Sequence, residues 1–371
     1  MWPAAASAQN VETIECQTGV PLSGSYADVI VNGTSCTLDG ATVNGSVLVS
    51  SGGTLIAINN TNVFGRVQVD AGGNIDLFSV TVLGDVTLND SNDVTVGASA
   101  TIGTLKVERS GEVNANGAIG SIENKESGGI SLEGATLFPG GVNMELATGS
   151  LVICGSTIEG QVNVLETTGD VLAEASGPCG SSTIDGSVIV GKGTGDVRLV
   201  GTSLAAGDLI VIEQTGSVLV NGTELSDVKI EKIIGNITLQ NVTTDSDTTI
   251  ADNTGDVTIS TSMLGSDVGI HLNSSVIVTS NNFSLEDVLI SNNAGPVVVD
   301  GNADLSMSII ENGDVTVTGN TFTDANISKN TGGVSIENNT GAVLSCSDNN
   351  PAPTGLGNTI TELADGQCAG F

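Results

Sequence analysis

Short runs in which aliphatic and polar residues alternate recur along the chain, each opened by a glycine and one further residue. The stretch "NTGDVTISTS" (residues 253–262) carries one copy: Gly255, Asp256, then Val257 and Ile259 alternating with Thr258 and Ser260. Val315 and Val317 repeat it. A period of two predicts a strand with one buried face. Aligning the glycines gives Gly53, Gly73, Gly111, Gly129, Gly149, Gly169, Gly195, Gly216, Gly235, Gly255, Gly295, Gly313 and Gly332. Asn92 and Ser274 fill two gaps, and Gly129 lies one residue out of register. Most steps are about 20 residues, a period that marks a solenoid rather than two globular domains.

Two further apolar features recur in each period. One is a second alternating pair: Val47/Val49, Val67/Val69, Val86/Leu88, Val162/Val164, Val188/Val190 and Val268/Ile270. The other is a single site after a bend: Val63, Val82, Ile102, Leu137, Ile158, Leu204, Phe283 and Phe322. Three apolar points per turn predict three short faces joined by corners. The expected fold is all-β, a single parallel β-helix of about sixteen coils and, at about 4.8 Å per coil, a rod near 75 Å long. The glycines are expected to serve corners that need φ > 0. Polar corner residues would satisfy backbone groups, and Pro296 takes a strand's first position.

Asn281, Asn302, Asn320 and Asn339 each follow the first strand aliphatic by five residues and are placed to stack as an amide ladder. With that ladder the chain resembles the right-handed parallel β-helix superfamily typified by pectin-lyase-like proteins, over roughly residues 27–345. The resemblance implies architecture; the activity it suggests most readily is polysaccharide cleavage, although fold alone does not set chemistry.

The six cysteines form three local pairs, Cys16 with Cys36, Cys154 with Cys179 and Cys346 with Cys368. There is no CxxC, and the one histidine, His271, cannot complete a usual zinc set. Disulfides and an oxidising, extracellular compartment are expected. Cys16 and Cys36, one period apart, would be vertical neighbours; Cys154–Cys179 would pin the insertion in "ASGPCGSSTIDG"; Cys346–Cys368 would fasten the C-terminal segment. The expected organisation is a signal-peptide remnant or flexible start at 1–9, holding Ala6-Ser7-Ala8, a cap segment at 10–26, the β-helix at 27–345 and a tethered tail at 346–371.

Charge narrows the partners. Nine Lys plus Arg against 42 Asp plus Glu give a net charge of −33, which repels nucleic acid and anionic membranes. No run approaches the roughly 18 apolar residues of a spanning helix. Self-association into fibres, or contact with an extracellular polysaccharide or cell surface, remains as the partner expectation.

Candidate chemistry is sparse. Asp170 and Asp196 lie one turn apart, and a glycosidase needs two carboxylates facing one bond, but the expected reading is solvated corners. Arg198 and Lys106 form no cluster for a lyase, Trp2 falls in the N-terminal start, and Phe283 and Phe322 read as core. His271 is expected to face outward. Corner aspartates Asp170, Asp196, Asp256 and Asp314 offer oxygens of the kind Ca²⁺ takes, but the repeated GGxGxD loop is missing, so diffuse screening is expected and no cofactor. The outward residues Leu48, Gln68, Thr87, Lys106, Asn143, Asn163, Arg198, Thr258 and Thr316 are too irregular for an ice-binding array. Sequons such as Asn32, Asn221, Asn236, Asn241, Asn273, Asn282, Asn326 and Asn338 follow from an Asn- and Thr-rich composition. The expectation is a secreted, non-catalytic structural or adhesive solenoid that assembles end to end, the alternative being a carbohydrate-active β-helix enzyme or polysaccharide-binding module.

Overall fold

A computed structural model describes residues 11–175, 179–204, 207–283 and 287–371. The N-terminal stretch 1–9, with Trp2 and the Ala6-Ser7-Ala8 triplet, lies outside the described residues. The described chain is all-β, a parallel β-solenoid of about 18 turns of about 19 residues. The sequence count of about sixteen is close to this; outlying coils, such as those holding Ser35–Asp39 and Thr354–Leu356, lack the glycine motif. The chain divides into two compact units, residues 1–149 and 150–371.

Most coils carry three strands; in others, such as that of Val94–Val96 and Thr101–Glu108, one long strand runs along two faces. In the first unit Thr54–Ile58, Thr61–Val63 and Val67–Asp70 pair in parallel with Asn74–Leu77, Val80–Val82 and Val86–Asn89 of the next coil. In the second, Val257–Ser260, Met263–Leu264 and Val268–His271 pair with Val276–Thr279, Asn282–Phe283 and Asp287–Ser291. Inward residues meet their own kind one coil away: Val257 pairs with Val276 and Ile259 with Val278, all essentially inaccessible to solvent. Burying one such side chain contributes roughly 1.5–3 kcal/mol. The alternation thus builds the core directly, and the third apolar site, from Val63 to Phe322, is buried too.

The motif glycines have a different cause from the expected one. None of Gly195, Gly216, Gly235 and Gly255 has positive φ. They stack on one another, and a Cβ at Gly255 would fall on the carbonyl of Gly235, just as one at Gly216 would fall on that of Gly195. Glycine is required by close approach between coils. In the first unit it is Gly128, not Gly129, whose Cβ would meet Gly111. Positive φ sits instead at two other corners of each coil, mostly on non-glycine residues: Gly222 (62°) and Lys232 (58°), Asn241 (50°) and Asp252 (58°), Thr261 (50°) and Leu272 (58°), and Ser280 (55°) and Asn292 (57°).

Side chains that immediately follow these bends hold the corners together. Asn302 donates from Nδ2 to Asn320 Oδ1 (2.9 Å) and to the Val278 carbonyl (2.9 Å), while its Oδ1 accepts from the N–H (2.9 Å) and Nδ2 (3.0 Å) of Asn281. All the bonding capacity of a buried amide is used. This column runs through Asn281, Asn302, Asn320 and Asn339 to Asn358. A second ladder, at another corner, runs through Asn253, Asn273, Asn293, Asn312, Asn330 and Asn349. Bends at 50–60° in φ cost of order 1–3 kcal/mol each, and the rung bonds oppose that cost.

All three cysteine pairs are disulfides. Cys16 and Cys36 are not vertical neighbours. The pairing of Ile14 with Val29 puts Cys16 level with Val31 on one face, whereas Cys36 belongs to the next face. That bridge therefore crosses the interior, with Cα atoms 5.7 Å apart. Cys154 and Cys179 are stacked, Cα atoms 4.9 Å apart, beside the bond from the Gly155 N–H to the Gly180 carbonyl.

Two outcomes test this account of the corners. Gly255→Ala is expected to cost about 2–3 kcal/mol through overpacking. Gly222→Ala, at φ 62° but with its nearest neighbour 3.9 Å away, should cost only about 1–2 kcal/mol. Urea unfolding gives the ranking, and the reverse order contradicts stacking as the reason for the motif. Asn302→Ala removes a rung and leaves the Asn281 N–H and Nδ2 without their acceptor, so a loss of roughly 3 kcal/mol is expected. A loss below about 1 kcal/mol in the same assay would contradict a structural ladder.

Candidate functional surfaces

The carboxylates read as possible chemistry are occupied at corners. Asp170 and Asp196 are stacked neighbours, and Asp170 Oδ1 accepts the Asp196 N–H at 2.8 Å while Asp196 Oδ1 accepts the Ser217 N–H at 2.8 Å. Further along this column Asp256 Oδ1 accepts the Ser275 hydroxyl (2.6 Å), and Asp314 Oδ1 accepts the Gly333 N–H (2.7 Å). Each aspartate thus caps the corner of the next coil. Asp170 and Asp196 lie on the same side of the fold, not across a gap where a bond could be cleaved. Among the described residues no group of three or more His, Cys, Asp or Glu side chains is placed to hold a metal ion.

The outward residues belong to two columns on different faces. Leu48, Gln68, Thr87 and Lys106 stack on one, and Arg198, Thr258 and Thr316 lie on the other. His271 ends its strand half-buried between Ala251 and Ser291, and its imidazole makes no hydrogen bond among the described residues. Asn273, one of the sequon asparagines, is a buried ladder rung.

Charge is distributed by column. At one of the two corners with positive φ the signs alternate on successive coils, Glu166, Lys192, Glu213, Lys232 and Asp252. Lys192 reaches Glu166 at 3.3 Å and Lys232 reaches Glu213 at 3.0 Å. In the first unit Arg109 bonds Asp90 at 2.9 Å in the same way. The hydrogen bond from Arg109 holds the Asp90 carboxyl below its ordinary range, that from Lys232 does the same to Glu213, and Lys232 in turn is pushed up by Glu213. Arg198 is likewise raised by its bond to Glu174. A second corner of the same unit carries no base: Asp208, Asp227, Asp247, Asp267 and Asp287 occupy consecutive coils.

One surface has the makings of a ligand groove. In the first unit Asp28, Ser46 and Arg66 line it beside an apolar strip at Ile30 and Leu48, which Gln68 continues on the adjacent strand with Asp70 beyond. The Arg66 guanidinium makes no ion pair or hydrogen bond among the described residues, unlike the side chains of most bases in the chain. Phe64 and Phe138, on that unit's corners, are largely exposed. Reading the aromatics by period assigned Phe283 and Phe322 to the core, where they lie, but gave no place to Phe64, Phe78 and Phe138. The signal was present: Phe64 directly follows the third apolar site, at the bend itself.

No family model, curated protein or solved structure matches this chain.

The alternating column yields a pH prediction. Glu213 titrates lower folded than unfolded, so its contribution is full above the unfolded carboxylate value and is lost as pH falls through the folded one. Lys232 is raised, so its contribution holds at neutral pH and fades only as pH climbs through the raised value. Lys232→Met is expected to return the Glu213 carboxyl toward its ordinary range in an NMR titration. An unchanged Glu213 curve would refute the pairing.

Proposed function

We propose that the protein is a secreted, non-catalytic structural or adhesive β-solenoid whose copies add end to end into an extracellular filament. The observation that carries this reading is the unpaired strand edge of each terminal coil. Among the described residues Thr359–Gly366 pairs with Thr340–Ser347 alone, and Ile14–Glu15 with Val29–Asn32 alone. Open edges of a parallel sheet are templates for further strands, and a head-to-tail contact repeats without closing. Secretion draws support from the three disulfides. The absence of catalysis is inferred from corner aspartates that cap backbone groups instead of facing a cleft.

A polysaccharide-binding module, or a carbohydrate-active enzyme of the pectin-lyase-like kind, is the second reading. The groove beside Arg66 and the exposed Phe64 and Phe138 favour it, since aromatic faces and a free cation are the usual furniture of sugar sites.

Negative-stain electron microscopy of the protein across a dilution series decides between them, alongside co-sedimentation with insoluble polysaccharides. Uniform fibres at high concentration are expected. Isolated particles at every concentration, together with polysaccharide pull-down lost in Arg66→Ala, would replace the first reading with the second.

A further inference from the structure

The two open edges are not equally prepared. At the C-terminal coil the chain closes one corner itself: Asn349 donates its N–H to Gln367 Oε1 (2.8 Å), Gln367 Nε2 donates to the Asn349 carbonyl (2.9 Å), and the Phe371 ring lies over Gly355. Cys368, bonded to Cys346, is fully buried there. The other corner is left unfinished. Asn358 accepts from Asn339 as every earlier rung does, yet its own N–H finds no acceptor among the described residues. The strand that follows it, Thr359–Gly366, is the open edge, with Leu363 half exposed.

The register that runs through the fold says what a further coil would present. Ile14 is level with Val29 and Glu15 with Ile30; Ala364 is level with Leu344 and Asp365 with Ser345. Val29 and Leu344 are both fully buried, inward members of these strands. Seating the first coil of a second copy so that its inward residue stays inward sets Ile14 over Ala364. Glu15 then lies over Asp365 and Glu12 comes beside Glu362, at about one strand spacing of 4.8 Å. Like charges directly opposite across strands oppose pairing. The alternating column inside the second unit shows the contrary arrangement, with lysine between carboxylates.

We infer that copies join by in-register addition of Ile14–Glu15 to the open edge at Thr359–Gly366, and that facing acids make this joint dependent on screening cations. The inference rests on the filament reading and specifies its contact and its control. Divalent or monovalent cations act here by neutralising the Glu15–Asp365 and Glu12–Glu362 repulsion, which weakens with ionic strength.

The test measures the critical concentration for assembly, by light scattering and electron microscopy, at low and high ionic strength. Wild type is compared with Glu15→Lys, Asp365→Lys and the double variant, after thermal melts establish that each folds as wild type does. Wild type is expected to assemble only at high ionic strength. Either single reversal should assemble at low ionic strength, with a critical concentration roughly tenfold below that of wild type. The double variant, which sets lysine over lysine, should return to wild-type behaviour. If all four assemble alike and without regard to salt, the joint is wrong although the filament reading stands. If none assembles under any condition, both fall.

Discussion

Every coil must repeat the one beneath it at the spacing of a hydrogen-bonded sheet, about 4.8 Å, so every side chain is packed chiefly against its own equivalent. This constraint selects residues column by column. Inward columns accept aliphatics because like shapes stack. Where backbone meets backbone at a corner, only glycine clears the carbonyl one coil away, as at Gly235 and Gly255. Where a polar side chain must be buried at a bend, asparagine is favoured, since its amide both donates and accepts and can bond a copy of itself. Asn302 does so while also bonding the Val278 carbonyl.

Charged columns are under the same rule, with a different result. Identical charges one spacing apart repel, and the corner carrying Glu166, Lys192, Glu213, Lys232 and Asp252 avoids this by alternation. Isolated surface pairs contribute little, so the gain there lies chiefly in not stacking acids. Elsewhere the chain accepts stacked acids. Asp196 can sit on Asp170 because its N–H is bonded to the carboxylate below, and Asp247 sits on Asp227 in the same way (2.9 Å). Acidic excess and backbone capping are therefore linked: the aspartate carboxylate accepts from the next coil's amide, which a lysine or arginine side chain, having no acceptor, cannot do.

The strands were legible because their period of two survives in nearly every coil, from Val47/Val49 to Val315/Val317. The ladder through Asn281 was legible from its offset of five residues after Val276. The same offset after Val268 places Asn273 on the second ladder, and it went unread because earlier members of that column are Thr167, Gln214 and Ile233. The glycine column was seen correctly and explained by the wrong cause, since sequence spacing does not distinguish a bend that needs φ > 0 from a crowded one. Cys16 and Cys36 show the same limit. A separation of 20 equals one period, but the short first coil shifts Cys16 to another face. The candidate groove was not legible, because Asp28, Ser46 and Arg66 come from successive coils and share no motif.

Amide hydrogen exchange is the most direct measurement of whether stacked side chains hold the corners. The account predicts that the backbone N–H groups of Asn281, Asn302 and Asn320, each donated to the next asparagine, exchange as slowly as those of the neighbouring strand Val297–Asp300. Corners that exchange like exposed loops while the strands stay protected would contradict it.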